Sequence, residues 1–274
     1  MMRSTVIFLF LTFAFIFVVS YDTWITKSHI SNLVFIMFIP AMIAGIVIKR
    51  IDKKPVRSYG LNNCRIRYYV FALIYPYLII ILGLVLVFIT SDVKIVTNLN
   101  MLREIPGTET IQGNTMILFL FGSNLLFSFL YFLPALGQEF GWRAFLQPKL
   151  INKFGVSKGL TLTGVMWGLC NSPMVFLLGQ YYPNQHNIVG VGLFIIWSIL
   201  VGFFLGWLRI KSNSVFPSAL CHSAIIVTSG LGFGLTQISN EIHTVPFGYP
   251  AFPILLLFAI LAYFNIKKTS IETK

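Results

Sequence analysis

The sequence predicts an all-α fold, a polytopic integral membrane protein of about eight transmembrane helices. Two observations carry that prediction. Hydrophobic residues make up 57% of the 274 positions and charged residues only 10%, where a soluble domain carries about 25% charged residues. Several apolar runs also exceed the roughly 18–20 residues that cross a bilayer.

The spans fall at about 5–21, 31–48, 68–90, 115–136, 160–178, 188–208, 215–232 and 249–266. A signal peptide would also begin with an apolar run like the first. No small-residue cleavage site follows it in "VVSYDTW", so it is kept as a span. The first three spans are apolar nearly all round and read as scaffold. The loop at 91–114, with "REIPGTETIQGN", reads as a turn-rich connection. The chain divides into scaffold helices at 1–114, a core at 115–232, and a last helix with its tail at 233–274, all within one integrated domain.

Loop charge sets an orientation. With the amino terminus inside, the inner segments hold seventeen basic residues, seven of them in 49–67, while the outer ones hold Lys27, Lys94 and Arg103. Basic residues gather on the cytoplasmic side, so both termini are expected there. The low charge and the many Phe and Ile residues fit an AT-rich bacterial genome, so the expected membrane is a bacterial plasma membrane. The net charge of +12 then reflects the anionic inner leaflet and calls for no nucleic acid. "KRIDKKPVRSYGLNNCRIR" is a topology signal, with lipid binding as its second reading. Cys64, Cys170 and Cys221 are scattered. The latter two lie in spans and read as small packing residues.

Polar residues at membrane depth form three clusters within 137–230. The first, "GQEFGWRAF", carries Glu139 and Arg143, four apart on one helix face and able to pair. Charge inside a membrane segment is costly, so a pair either locks helices together or serves a site. The Arg fork suits a bidentate contact. The second, "GVMWGLCNSPMVF", holds Trp167, Asn171 and Pro173. Pro173 removes a backbone hydrogen bond and can open the helix toward a cavity. Asn171 is an interhelical partner or part of a polar site. The third, "SVFPSALCHSAIIVTSG", holds His222, the one histidine well inside a span. Its meaning turns on whether it faces Glu139. Glu139 and His222 are too few for a zinc site, which wants three or four ligands. Neither a metal nor another cofactor is expected.

These clusters resemble, in order and content, the CAAX-protease and bacteriocin-processing family (CPBP, or Abi), intramembrane endopeptidases of the glutamate type. The family's first motif, "EE-x-GWRG-x-L-x-P-x-L", stands here as "QEFGWRAFLQPKL". Its second, "WGLWHxP", stands as "WGLCNSP". Its third, "GWLR-x-x-S-x-S-x-x-P-A-x-x-x-H-x-x-x-N", stands as "GWLRIKSNSVFPSALCHSAII". The resemblance covers about residues 130–230 and implies a CPBP/Abi-like helical bundle.

It also implies site residues. In the family the first glutamate of motif one and the histidine of motif two activate a water, and the histidine and asparagine of motif three stabilise the oxyanion. Those positions are Gln138, Asn171, His222 and Ile226 here. His222 is retained, as are Glu139 and Arg143. A neutral amide cannot take a proton from water, and losing one oxyanion donor costs about 100–1,000-fold in rate. Glu139 can substitute as base, although pairing with Arg143 weakens it for that role.

The substitutions imply lost or strongly reduced proteolysis. The chain then acts as a membrane binding or regulatory protein, or in bacteriocin immunity, with the lipid bilayer and a peptide or membrane protein as partners. The alternative is an active endopeptidase using Glu139 and His222 near the cytoplasmic face. A coupled transporter is disfavoured, since Glu139 is the sole acid expected at membrane depth and no repeat is evident.

Overall fold

The computed structural model describes residues 2–27, 29–90, 113–234 and 241–272. The connection at 91–114 lies outside them except for its last two residues. All regular structure among the described residues is helical. The helices are α1 (Met2–Thr26), α2 (His29–Val47), α3 (Ile66–Thr90), α4 (Gly113–Leu130), α5 (Phe132–Glu139), α6 (Gln147–Phe154), α7 (Val156–Leu178), α8 (Ile188–Ser212), α9 (Phe216–Gly234) and α10 (Phe252–Glu272). A π-helical segment, Phe140–Leu146, joins α5 to α6.

Six helices are long and apolar enough to cross a membrane. The other two expected spans differ from expectation. The fourth is a bent pair, with Phe119–Leu130 and Phe132–Phe154 meeting at 51°. The seventh is a shorter apolar helix, Phe216–Gly232. The outer faces are apolar, with Phe10, Ile89, Leu261 and Phe264 exposed, while Gln138, Glu139, Arg143, Asn171 and His222 are buried. An exterior of that kind suits lipid. His29 starts α2 and does not lie in a loop.

Glycines set how closely the helices pack. Gly137 and Gly141 form a small-xxx-small pair on the motif helix. A Cβ on Gly141 would lie 2.4 Å from Cβ of Pro40, and one on Gly137 would lie 2.7 Å from the Met37 carbonyl oxygen. Helix α2 therefore rides directly on the motif. Gly164 and Gly168 repeat the pattern between α7 and α8, where added Cβ atoms would meet Cα of Ile199 at 2.5 Å and of Ile195 at 2.8 Å.

Pro173 does not open α7, which runs on to Leu178. The carbonyl that Pro173 leaves without an amide belongs to Leu169, and the Ser172 hydroxyl donates to it at 2.8 Å. The freed acceptor is satisfied one residue away, so the helix stays closed.

The first helix is part of the core. Phe8 is buried against Trp142, with ring centroids 5.5 Å apart, and Lys149 donates to the Ser4 hydroxyl at 2.8 Å. Lys149 also pairs with Asp52, which in turn accepts from the Tyr59 hydroxyl at 2.9 Å. Asp52 closes the π-helical turn that extends α2, and Asp22 lies within α1. Both acids thus sit on spanning helices near their ends, not in loops. Cys170 and Cys221 are buried free thiols, and Cys64 is half-buried.

Candidate active site

The motif residues meet because α5 ends in a π-helical segment where α2 presses on it. Such segments cluster at functional sites, since the wider turn redirects side chains. Just before it, at the end of α5, two neighbours point in different directions as on any helix. Gln138 faces a cavity, while Glu139 is fully buried behind it.

Glu139 and Arg143 pair, with Arg143 Nη1 donating to Glu139 Oε1 at 2.9 Å and both side chains fully buried. The contact is not the bidentate fork expected from sequence. The same Oε1 lies 2.8 Å from His222 Nδ1, so one carboxylate oxygen serves both partners. A carboxylate offers no proton, so Nδ1 carries the hydrogen and donates it. In a neutral ring this leaves Nε2 as the acceptor nitrogen.

The remainder of the guanidinium lies over Trp167, with Cζ 4.2 Å from the ring centroid. His222 meets the same indole edge-on at 5.3 Å. Trp167 therefore holds both partners of Glu139 in place.

Gln138 is held just as firmly. Its Oε1 accepts from Trp142 Nε1 at 3.0 Å and from Trp167 Nε1 at 3.1 Å. An indole nitrogen is a donor only, so the carbonyl end of Gln138 must face the two rings. What Gln138 can offer the cavity is its amide hydrogens. Asn171 Nδ2 donates to the Trp167 carbonyl at 2.7 Å, leaving Oδ1 as the acceptor end of that side chain. Neighbouring hydroxyls brace α9: Ser223 donates to the Ser128 carbonyl at 2.5 Å and Ser218 to that of Leu205 at 2.9 Å.

Gln138, Asn171, His222 and Ile226 share one cavity of about 450 Å³. Glu139 is not among its lining residues. Sequence reasoning had placed any site within 137–230, but the wall also includes Leu33, Val34 and Met37 of α2, Tyr131 at the bend, and Phe247. The close glycine contacts of α2 were the available signal for the first three. Nothing local in the sequence marks Phe247. It is brought in by Tyr182, whose hydroxyl donates to the Phe247 carbonyl at 2.8 Å, and by Trp197, which donates to the Pro246 carbonyl at 3.1 Å. Asn184 adds a clasp, donating from its backbone and side-chain nitrogens to the two Glu241 oxygens at 2.8 and 2.6 Å.

The family described as type II CAAX prenyl endopeptidase Rce1-like matches residues 120–227. A curated protein named CAAX prenyl protease 2, from Methanococcus maripaludis, is 26% identical over 244 residues, covering 83% of this chain and 86% of its own. The chain is similar to CAAX prenyl endopeptidases of the CPBP kind. The matched stretch spans all three motifs, and with them every polar side chain named for this site except Glu241. In this chain the cavity is lined by two amides, a hydrocarbon and one imidazole at the positions that the resemblance assigned to water activation and oxyanion binding.

Proposed function

We propose that this protein binds a peptide segment in the cavity without cleaving it, or cleaves it at a strongly reduced rate. The observation that carries this is the fixed orientation of Gln138. Its carbonyl oxygen is occupied by two indole N–H groups, so it presents hydrogen-bond donors where a water-activating base would be needed. Ile226 offers no hydrogen bond to an oxyanion. A cavity of aromatic walls with a few convergent amides suits an extended, uncharged peptide. A regulatory or bacteriocin-immunity role fits such a binder. The charge asymmetry of the loops supports cytoplasmic termini, and the Phe- and Ile-rich composition fits a bacterial plasma membrane.

The test is proteolysis by the purified full chain in a bilayer mimic, using a mixed peptide library read by mass spectrometry. Little or no cleavage is expected from the native chain. The triple variant Gln138→Glu, Asn171→His, Ile226→Asn is expected to gain it. Cleavage by the native chain as fast as by the triple variant, and abolished by His222→Ala, would overturn the proposal.

One contact favours a second reading, a working endopeptidase. Glu139 orients His222 so that Nε2 could take a proton from water, whose hydroxide then adds to the peptide carbonyl. The proton passes on to the departing amine, and Glu139 steadies the imidazolium between the two transfers. In that case His222, and not Glu139, is the base.

A further inference from the structure

We infer that the cavity opens toward the outer side of the membrane, so that its peptide occupant arrives from outside the cell. Four of the helices that line the cavity reach its rim from the same end. α2 supplies Leu33 and Met37 near its start, α7 supplies Asn171 and Met174 near its finish, α8 supplies Phe194 near its start, and α9 supplies Ile226 and Ser229 in its second half. The rim is completed by Gly179–Pro183, between α7 and α8, and by Phe247 before α10.

The basic residues occupy the opposite ends of those helices. Lys49 and Arg50 close α2, Arg65 and Arg67 open α3, Lys158 opens α7, Arg209 and Lys211 close α8, and Lys267 and Lys268 lie late in α10. These ends are joined in space. Val215 N donates to the Gly60 carbonyl at 2.9 Å, and Asn62 donates to that of Asn213 at 3.3 Å. Arg143 drops out of this belt, being buried in the core.

Among the described residues, the cavity end carries a single Lys or Arg, Lys27, together with the acids Asp22 and Glu241. Basic residues resist transfer across the membrane and are drawn to the anionic inner leaflet. The belt therefore marks the inside and the cavity mouth the outside, which reverses the cytoplasmic-face cleavage expected from sequence. No Asp, Glu, Lys or Arg lines the cavity wall. An uncharged, extended peptide segment on the outer face fits that lining.

The nature of the occupant rests on the proposed binding function, but sidedness does not, and thiol labelling reads sidedness whether or not anything binds. In a Cys64→Ser chain, Cys170 and Cys221 remain buried. Gln180→Cys and Pro183→Cys place a thiol on the cavity rim, and Arg57→Cys places one on the exposed basic side. Full-length variants are expressed in cells, checked for equal membrane levels, and treated with a charged, membrane-impermeant maleimide. Both rim thiols should label in intact cells, while Arg57→Cys should label only after permeabilisation. Rim labelling that requires permeabilisation, or Arg57→Cys labelling in intact cells, overturns the inference. The peptide-binding reading is judged separately, by the proteolysis assay.

Discussion

Glu139 Oε1 and His222 Nδ1 lie 2.8 Å apart, while the same oxygen accepts from Arg143 at 2.9 Å. This shared oxygen makes the three side chains one unit, buried between α5, the π-helical segment and α9. A charge taken out of water is tolerated only with its partner present.

Removing one member should therefore cost more than removing two. Glu139→Gln leaves Arg143 charged and buried, and is expected to lower stability by about 3–5 kcal/mol. The double variant Glu139→Gln, Arg143→Met should recover most of that loss. Thermal unfolding of the three proteins in one detergent checks the order.

Helix contacts at glycine give a second contrast. Gly141→Ala drives a methyl into Pro40, and overpacking of this kind costs about 1–3 kcal/mol. Gly45→Ala, on the same helix as Pro40, meets nothing within 4 Å. It should be neutral or gain up to about 1 kcal/mol from helix propensity. Melting temperatures of the pair, measured side by side, decide it.

Alkaline pH should act through Tyr59. Burial, then the hydrogen bond to Asp52, holds its hydroxyl well above the ordinary tyrosine range. The folded chain thus keeps a proton that the unfolded chain releases near pH 10. Above that pH the folded state binds more protons, so stability falls as pH rises. Tyr59→Phe should flatten the decline between about pH 10 and 12, as measured by unfolding across that range.

The clasp between Asn184 and Glu241 should govern the cavity rim. Glu241→Ala removes two hydrogen bonds to a carboxylate, bonds worth about 1.5–3 kcal/mol each when buried. Amide hydrogen exchange at Asn184 and the adjacent Gln185 should quicken, with little change in the middle of α7. Unchanged exchange at Asn184 would show that the rim is held by other contacts.

Much of this protein is legible from its residues in order. Apolar runs too long for a soluble helix announce spans, because a bilayer of fixed thickness demands a fixed length of hydrocarbon. The i, i+4 spacing of Glu139 and Arg143 announces a pair, because a helix brings those positions to one face. The three motifs announce the resemblance to the CAAX endopeptidases. Tertiary structure alone decided which oxygen of Glu139 is shared, since His222 lies 83 positions away and reaches it only through the packing of α9 on α5. The same holds for Gln138, whose amide is turned by two indoles, one of them 29 positions away. It holds also for the cavity wall, where α2 and Phe247 are brought in by glycine contacts and by bonds between loops. Local sequence sets periods, caps and charges. Which polar atoms face each other, and which face a cavity, depends on the three-dimensional meeting of helices far apart in the chain.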